Sequence, residues 1–210
     1  MKSISKKIDQ PAWFASYARI RTDSYVMLAS LLGHPPSENL VKVLKNLQWD
    51  EGIPEGLDRS LKALRKASQD YPLRTLKDEY DKLFVGLGCG ELVPYASWYR
   101  EKRIQSSPLA SLRSDLFRLG IVRQAESHES EDHAAALCEC MALISQRPNE
   151  TEHTTEARFF QQHVAPWMTT FFKDLESAKN ARYYRTVGTF GRCLLESEVE
   201  YLKCNGITPI

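Results

Sequence analysis

The sequence predicts an all-α protein, a single bundle-like globule of about eight or more helices. Three observations predict it. In nearly every segment, apolar residues recur at intervals of three and four positions, the spacing of one buried helix face. Serine, proline and glycine stand where helices would begin and end, and no segment alternates apolar and polar residues as a half-buried strand does. Two helical halves joined by a hinge are an alternative arrangement of the same helices.

The first part of the chain predicts four helices. The first helix begins near Trp13 and ends at Gly33, which is followed by His-Pro-Pro. Ser37 is placed to cap the second helix, and the segment 56–70 predicts the third. The fourth, 74–86, runs into a glycine-rich loop. Its apolar side carries Leu76, Tyr80, Leu83 and Phe84.

Start and stop signals also define the later helices. Ser107 is placed to cap a helix that opens on Pro108 and ends at Gly120. Ser130 is placed to cap the next helix, whose apolar stripe follows in "AAALCECMALI". A long helix interrupted by Pro166 and a final helix close the chain.

The polar segment 121–130 is the best internal boundary. We predict an N-terminal helical half (1–120), a hinge (121–130) and a C-terminal helical half (131–210), with one compact domain as the alternative. A hinge would let the N-terminal half of one chain pack on the C-terminal half of another. The predicted oligomeric state is therefore a monomer or a domain-swapped homodimer, which size-exclusion chromatography distinguishes.

Composition narrows the class of protein. Apolar residues make up 42% of the chain and charged residues 26%, as in ordinary globular proteins. The net charge of +1 argues against a general nucleic-acid binder. No run approaches the roughly 18 apolar residues of a membrane span. No apolar stretch with a cleavage site follows the basic first residues. We expect a cytoplasmic protein without a membrane span.

The cysteines are odd in number and scattered, which favours reduced thiols over a disulfide framework. Two of them, Cys138 and Cys140, would point to nearly opposite sides of a helix, so we expect packing residues and not a metal pair. The five cysteines are Cys89, Cys138, Cys140, Cys193 and Cys204.

Three glycines at alternate positions in "FVGLGCGELVPY" suggest a phosphate-binding loop at first reading. Dinucleotide folds need G-x-G-x-x-G after a strand, and P-loops need a Lys-Ser or Lys-Thr pair. This loop has neither, and it follows an amphipathic helix. A helix end with a flexible turn is one interpretation. The other is a turn beside a groove, because a dense apolar and aromatic set follows in Leu92, Val93, Tyr95, Trp98 and Tyr99.

An acidic cluster follows in "ESHESEDH", where four carboxylates occur without a lysine or arginine. Its histidines, His128 and His133, have the order H-E-x-x-x-H, which does not match the H-E-x-x-H of zinc proteases. A solvated helix start and an acidic acceptor for a basic peptide are the two interpretations. No G-x-S-x-G element or paired histidine indicates a nucleophile. We therefore expect no catalytic residue, no metal site and no enzymatic activity.

Three ordered blocks of the chain resemble the TorD/DmsD/NarJ family of redox-enzyme maturation chaperones, and most closely its TorD branch. The first block, "EYDKLFVGLGCGELVPYASWY", is similar to the family's Y-x-x-L-F-x-G element followed by a proline and an aromatic residue. The second, "ESEDHAAALCECMALI", is similar to its E-x-D-H helix start. The third, beginning "FFQQHVAPW", is similar to its H-x-x-P-W helix.

The resemblance implies an all-helical cytoplasmic chaperone that is not an enzyme. Such a chaperone binds the twin-arginine signal peptide of a molybdoenzyme precursor, and the apo-enzyme, until the molybdenum cofactor is inserted and the enzyme is exported. The implied client is trimethylamine N-oxide reductase, with a dimethyl sulfoxide or nitrate reductase as alternatives. The implied signal-peptide-binding residues are Leu83, Phe84, Gly86, Gly88, Pro94, Tyr95, Trp98, Tyr99, Glu131, Asp132 and His133.

The charges suit such a peptide, because two guanidinium groups beside an apolar stretch need carboxylates beside an apolar groove. Among the acids, Asp132 is the expected direct arginine partner, and His133 would make the affinity pH-dependent. No cofactor is required on this chain. Transient contact with the client's molybdenum cofactor stays open. So do two alternative functions, a weak guanine-nucleotide (GTP)-binding module and a maturation chaperone for another metalloenzyme.

Overall fold

The computed structural model describes residues 10–86, 90–100, 108–122, 129–146 and 150–205, with only the backbone described for 150–154. The all-α prediction is confirmed, since the one extended pairing in these ranges is an isolated bridge between Tyr95 and His133. The helices are α1 (Phe14–Gly33), α2 (Glu38–Lys45), α3 (Glu55–Asp70), α4 (Leu73–Tyr80), α5 (Ala96–Arg100), α6 (Pro108–Arg118), α7 (Ala134–Ser145), α8 (Glu150–Phe159), α9 (Ala165–Ser177) and α10 (Tyr183–Cys204). π-Helical turns follow α4 (Asp81–Val85) and α8 (Phe160–Val164).

Several helix ends lie where local sequence signals predict them. The Ser37 hydroxyl accepts a hydrogen bond from the Leu40 amide at 3.2 Å and caps α2. Helix α1 ends at Gly33, and α6 opens on Pro108. After α6, Gly120 adopts φ 66°, and its amide and the next one bond back to the last turn of the helix. The predicted cap Ser107 lies outside the described residues.

The predicted start of α7 is wrong by one turn. The helix begins at Ala134, and His133, not Ser130, is its N-cap. The backbone of His133 is extended (φ −66°, ψ 142°) because the residues around it pair with the segment that precedes α5. This pairing keeps Glu131 and Asp132 out of the helix and leaves them in the turn before it.

The predicted interruption at Pro166 is confirmed. Pro166 lies in the first turn of α9, where the missing amide costs little. The backbone before it widens into the π-helical turn Phe160–Val164, which buries His163. The His163 ring lies 2.9 Å from the Asp115 carboxylate, and this contact ties the turn to α6.

One continuous core joins the helices. Helix α1 packs against α7 and α10, and α10 also packs against α9 and α3. The core therefore combines residues from both sides of the segment 121–130, of which 123–128 lie outside the described residues. The division into two halves and a hinge, like the oligomeric state, stays a prediction. The largest fully buried side chains include Trp167, Tyr17, Tyr25, Tyr183, Tyr184, Phe171 and Phe172.

A buried ionic network crosses this core. Arg21 of α1 donates to Glu198 of α10 and, at 2.5 Å, to Glu156 of α8. The hydroxyl of Tyr17 donates to the same Glu198 at 2.7 Å. Arg21, Glu156 and Glu198 are at most 2% exposed. The network therefore fixes three helices relative to one another away from solvent.

The residues that flank 87–89 in the glycine-rich segment pair with the π-helical turn Asp81–Val85. Gly86 leaves the turn with φ 56°, and the amides of Glu91 and Leu92 return to the carbonyls of Lys82 (3.2 Å) and Leu83 (2.8 Å). A Cβ at Gly90 would lie 2.4 Å from the Leu83 carbonyl oxygen. Backbone therefore meets backbone at this position, which only glycine permits.

Two glutamates on either side of the glycine-rich segment bind the connection between α9 and α10 and the start of α10. The buried carboxylate of Glu79 accepts from the amides of Arg182 (2.7 Å), Tyr183 (3.2 Å) and Tyr184 (2.7 Å). Glu91 accepts from the amides of residues 179 and 180 at 2.5 and 3.0 Å. The contacts of Glu79 satisfy the first amides of α10, which a helix cannot satisfy by itself, and those of Glu91 hold the turn before that helix. Both carboxylates thus accept hydrogen bonds from groups of the same chain, Glu79 in the interior and Glu91 at the surface.

Cysteines, metal ligands and membrane spans were checked within the described ranges. There, Cys138, Cys140 and Cys193 are buried free thiols and Cys204 is partly buried, while Cys89 lies outside the described residues. The same ranges contain no group of three or more His, Cys, Asp or Glu residues suited to a metal ion. Nor does any described helix combine the length and apolar character needed to cross a membrane.

Candidate functional site

The bridge between Tyr95 and His133 brings the first two sequence blocks together. The Ala96 amide donates to the Asp132 carbonyl oxygen at 3.0 Å, and the Ala134 amide donates to the Pro94 carbonyl oxygen at 2.8 Å. Tyr95 and His133, distant in sequence, thus form one isolated antiparallel β-bridge. The start of α5 and the start of α7 consequently share one hydrogen-bonded unit, which we call the α5–α7 junction (residues 94–98 and 129–135).

Asp132 is the cap of α5. Its carboxylate accepts a hydrogen bond from the Ser97 amide at 2.9 Å, and the residue is only 2% exposed. Burial would raise the pKa of this carboxyl group, but hydrogen bonds from Ser130 and Ser97 outweigh burial and hold the pKa below its ordinary value. The ionised carboxylate of Asp132 therefore already has hydrogen-bond partners within the chain.

His133 caps the other helix of the junction. Its Nδ1 accepts a hydrogen bond from the Ala135 amide at 3.1 Å, and its ring packs edge-on against Tyr95 with ring centres 4.9 Å apart. Burial lowers the pKa of His133 below its ordinary value. A neutral imidazole is also what the cap requires, since a protonated Nδ1 cannot accept a hydrogen bond.

The other two described acids of the cluster differ in their surroundings. Glu131 is engaged by Arg113 of α6, whose guanidinium donates to both carboxylate oxygens at 3.1 and 3.0 Å. Glu129 is exposed and accepts a hydrogen bond from the Tyr95 hydroxyl. The fourth acid, Glu126, lies outside the described residues. Of the three, Glu129 is the carboxylate most open to a partner.

The aromatic residues of α5 face two environments. Trp98 is 64% exposed. Tyr99 packs against Trp167 and Phe171 of α9, with ring centres 5.4 and 6.2 Å apart, and its hydroxyl donates to Asp174 at 2.9 Å. Helix α5 is thus anchored on one side and presents an indole ring to solvent on the other.

The remaining residues implied by the resemblance are placed mainly inside the fold. Leu83 is fully buried, and Pro94 is buried at the junction. Phe84 is partly buried and packs edge-on against Tyr80 and Tyr184 with ring centres 5.0 and 5.5 Å apart. Gly86 shapes the end of the π-helical turn. Gly88 lies outside the described residues.

The structure therefore brings Pro94 and Tyr95 next to Asp132 and His133 and places Trp98 on the helix that follows, while Leu83 and Phe84 contribute to the core. Sequence reasoning overlooked Arg113 as the partner of Glu131 and Glu79 as the cap of α10. No local signal marks either contact, because their partners lie 18 and more than 100 positions away. The exposure of Glu129 could have been suspected from the cluster, but not its bond to Tyr95.

The sequence model of the nitrate reductase delta subunit family matches residues 50–173, more than half of the chain's 210 residues. The chain belongs to this family. The matched range includes the π-helical turn, the glycine-rich loop and the whole α5–α7 junction. The family resemblance carried by the three sequence blocks is thereby confirmed.

Curated relatives agree with this assignment. The chain is 27% identical over 132 residues to "Chaperone protein TorD" of Vibrio cholerae serotype O1, strain El Tor Inaba N16961, covering 56% of this chain and 60% of the relative. It is 24% identical over 139 residues to the TorD chaperone of the Classical Ogawa 395 strain, covering 61% and 63%. The chain thus spans about three fifths of the length of the curated relatives it matches.

A crystal structure from Archaeoglobus fulgidus, described as that of a redox enzyme maturation protein, has a similar fold. The TM-score is 0.57, and the match covers 84% of this chain and 94% of the other. Since the sequence identity is 18%, this similarity bears on the fold.

Proposed function

We propose that the protein is a maturation chaperone of a redox enzyme, which binds the twin-arginine signal peptide of a molybdoenzyme precursor and the apo-enzyme until the molybdenum cofactor is inserted. The client is of the trimethylamine N-oxide or dimethyl sulfoxide reductase type. The protein acts in the cytoplasm, where precursors are made, and needs no cofactor and no catalytic residue of its own. Family membership and the TorD relatives support the chaperone function.

One observation supports peptide binding in particular. The α5–α7 junction places the exposed ring of Trp98 on the same unit as the exposed carboxylate of Glu129. A twin-arginine signal joins guanidinium groups to an apolar stretch, so its receptor needs a carboxylate near an apolar surface. In this site Glu129 receives a guanidinium group, and Trp98 receives the apolar part of the peptide.

Calorimetry with a synthetic signal peptide tests this function. We expect the Arg-Arg peptide to bind and its Lys-Lys variant to bind at least about tenfold more weakly, because lysine cannot form the paired hydrogen bonds of a guanidinium. Trp98→Ala should weaken binding of the Arg-Arg peptide by about tenfold or more, as expected for the loss of an aromatic anchor.

The matched control for Trp98→Ala is Val43→Ala. Val43 is 60% exposed on α2, a helix whose main packing partner is α3. This variant should bind like the wild type. Equal affinity for the Arg-Arg and Lys-Lys peptides, or no binding of either one, would overturn the proposal.

A further inference from the structure

We propose that Asp132 is a positioning residue, which supports peptide binding by capping α5 through its side-chain oxygen and not by pairing its charge with an arginine of the client. This inference rests on the proposed function and assigns Asp132 a role different from the one expected from the sequence. It separates two properties of the aspartate, its negative charge and its capacity to accept hydrogen bonds.

The first argument is access. The Asp132 carboxylate is buried and accepts a hydrogen bond from the Ser97 amide at 2.9 Å, and the nearby Ser130 and Ser97 side chains help to hold its pKa below the ordinary value. A guanidinium group reaching the carboxylate would have to displace this amide. A displaced amide would be left buried without a partner, which is more costly than the loss of an exposed hydrogen bond.

The second argument is the length of α5. This helix has five residues, and a helix so short is not stable by itself. It is held at its start by Asp132, through both the side chain and the carbonyl oxygen, and at Tyr99 by the rings of α9. Trp98 lies between these two attachments. Loss of the cap therefore loosens the turn that presents Trp98, even though Asp132 never touches the ligand.

The third argument is that exposed Glu129, on the same junction, can supply the negative charge. Asp132 is thus not needed as the arginine partner. Three consecutive side chains each bind a different helix: Glu131 binds Arg113 of α6, Asp132 binds the start of α5, and His133 binds the start of α7. Asp132 therefore has a structural role of the same kind as its two neighbours.

Two substitutions distinguish a cap from a charge. Asp132→Asn keeps a side-chain oxygen that can accept from the Ser97 amide, and asparagine caps helices as well as aspartate does. The serine hydroxyls can rotate to accept from the new amide group. Asp132→Ala removes both the acceptor and the charge. Glu139→Gln, at an exposed position of α7, is the matched control for the loss of one negative charge.

The full-length variants are compared by calorimetry with the Arg-Arg peptide. We expect Asp132→Asn to bind within about threefold of the wild type and of Glu139→Gln, and Asp132→Ala to bind about tenfold more weakly. The proposal is overturned if Asp132→Asn binds as weakly as Asp132→Ala, which indicates a charge role. It is also overturned if Asp132→Ala binds like the wild type.

A measurement without ligand keeps this proposal separate from the proposed function. Of the tryptophans, Trp98 is the most exposed, so quenching of fluorescence by acrylamide reports mainly on α5. Asp132→Ala should change the quenching constant, and Asp132→Asn should leave it at the wild-type value. If the wild type fails to bind the peptide but this pattern is found, the proposed function fails and the positioning role stands. If Asp132→Ala leaves quenching unchanged, the positioning role fails whatever the peptide does.

Discussion

His133 performs its structural task only in the neutral form. Its Nδ1 accepts from the Ala135 amide, and burial is the main cause that lowers the pKa of the imidazole. The carboxylates of Glu129 and Asp132 act in the opposite direction, and His34 acts with burial. The net effect is a pKa below the ordinary 6.5, so the side chain favours the state that the cap of α7 needs.

A pH dependence of stability follows from this shift. Because the folded pKa lies below that of the unfolded chain, the unfolded state binds the proton first as the pH falls. The stabilisation is complete above about pH 7 and is lost as the pH falls below 6.5 towards the folded pKa. His133→Asn keeps a capping acceptor without a titrating ring. We expect its urea midpoint to fall less than that of the wild type between about pH 7.5 and 5.5.

At pH 7.5 the two midpoints should be similar, because both side chains then cap α7. His163, whose pKa is also lowered by burial against the opposing effect of Asp115, titrates in both proteins and cancels in the comparison. Parallel profiles for the wild type and His133→Asn would contradict the role given to His133.

Backbone contacts hold the described residues of the glycine-rich segment, 86 and 90–92, on the π-helical turn that follows α4. The π-helical turn leaves the carbonyls of Lys82 and Leu83 to accept from residues 91 and 92, which requires the chain at Gly90 to approach within van der Waals contact of the turn. Glu79, before this segment, binds the start of α10, and Glu91, after it, binds the turn that precedes α10. The described residues on both sides of 87–89 are thus fixed on the rest of the fold.

Gly90→Ala should therefore destabilise the protein. The added Cβ would lie 2.4 Å from the Leu83 carbonyl oxygen and 2.6 Å from the Phe84 carbonyl carbon, and backbone cannot move aside as a side chain can. We expect a loss of about 1–3 kcal/mol in the free energy of unfolding, measured by urea denaturation. Gly56→Ala in α3 is the control, because its nearest neighbour would be a sulfur atom at an ordinary 3.7 Å. An unchanged free energy of unfolding in Gly90→Ala would contradict the close backbone contact inferred at this position.

The buried network around Arg21 links α1, α8 and α10 across the whole molecule. One guanidinium faces two carboxylates, and its carbon atom also lies 4.5 Å from the centre of the Tyr201 ring. Ionised groups taken out of water repay their desolvation only when every partner is in place. The network therefore favours the one arrangement of the three helices in which all of its partners are in contact.

Arg21→Ala should lower the free energy of unfolding far more than a surface substitution on the same helix does. Removing one partner of a buried pair leaves uncompensated charge, and we expect a loss of about 3–5 kcal/mol in the free energy of unfolding. Arg19→Ala removes the exposed pair with Asp50 and should cost less than about 1 kcal/mol. Circular dichroism during urea denaturation compares the two variants. Similar losses would show that the buried network contributes no more than a surface pair.

The sequence could predict features whose partners lie nearby. The helices follow from the spacing of apolar residues, and the ends at Ser37 and Gly120 follow from contacts within four or five positions. The start of α7 could not be predicted in this way. Ser130 has the side chain of a helix cap, but residues 132–134 pair with 94–96, and this pairing moves the start of the helix to Ala134.

The same distinction holds for the candidate site. Two of the segments that the family resemblance singled out lie together, since Tyr95, next to the helix of Trp98, pairs with His133, while a role of these residues in peptide binding stays a prediction. The role of each side chain depends on burial and on distant donors, which no spacing encodes. Asp132 and Glu129 are three positions apart in the same acidic cluster, yet one is enclosed by amides and hydroxyls and the other reaches solvent.

The bridge at the α5–α7 junction also has a dynamic consequence. The amides of Ala96, Ser97, Ala134 and Ala135 all donate to acceptors within the junction, so breaking it exposes the four protons to solvent together. Their hydrogen-exchange rates should therefore be governed by one shared opening event. Any ligand that favours the closed junction must slow exchange at Ala134 and Ala135 even when it contacts only α5, because the coupling between the two sides is reciprocal.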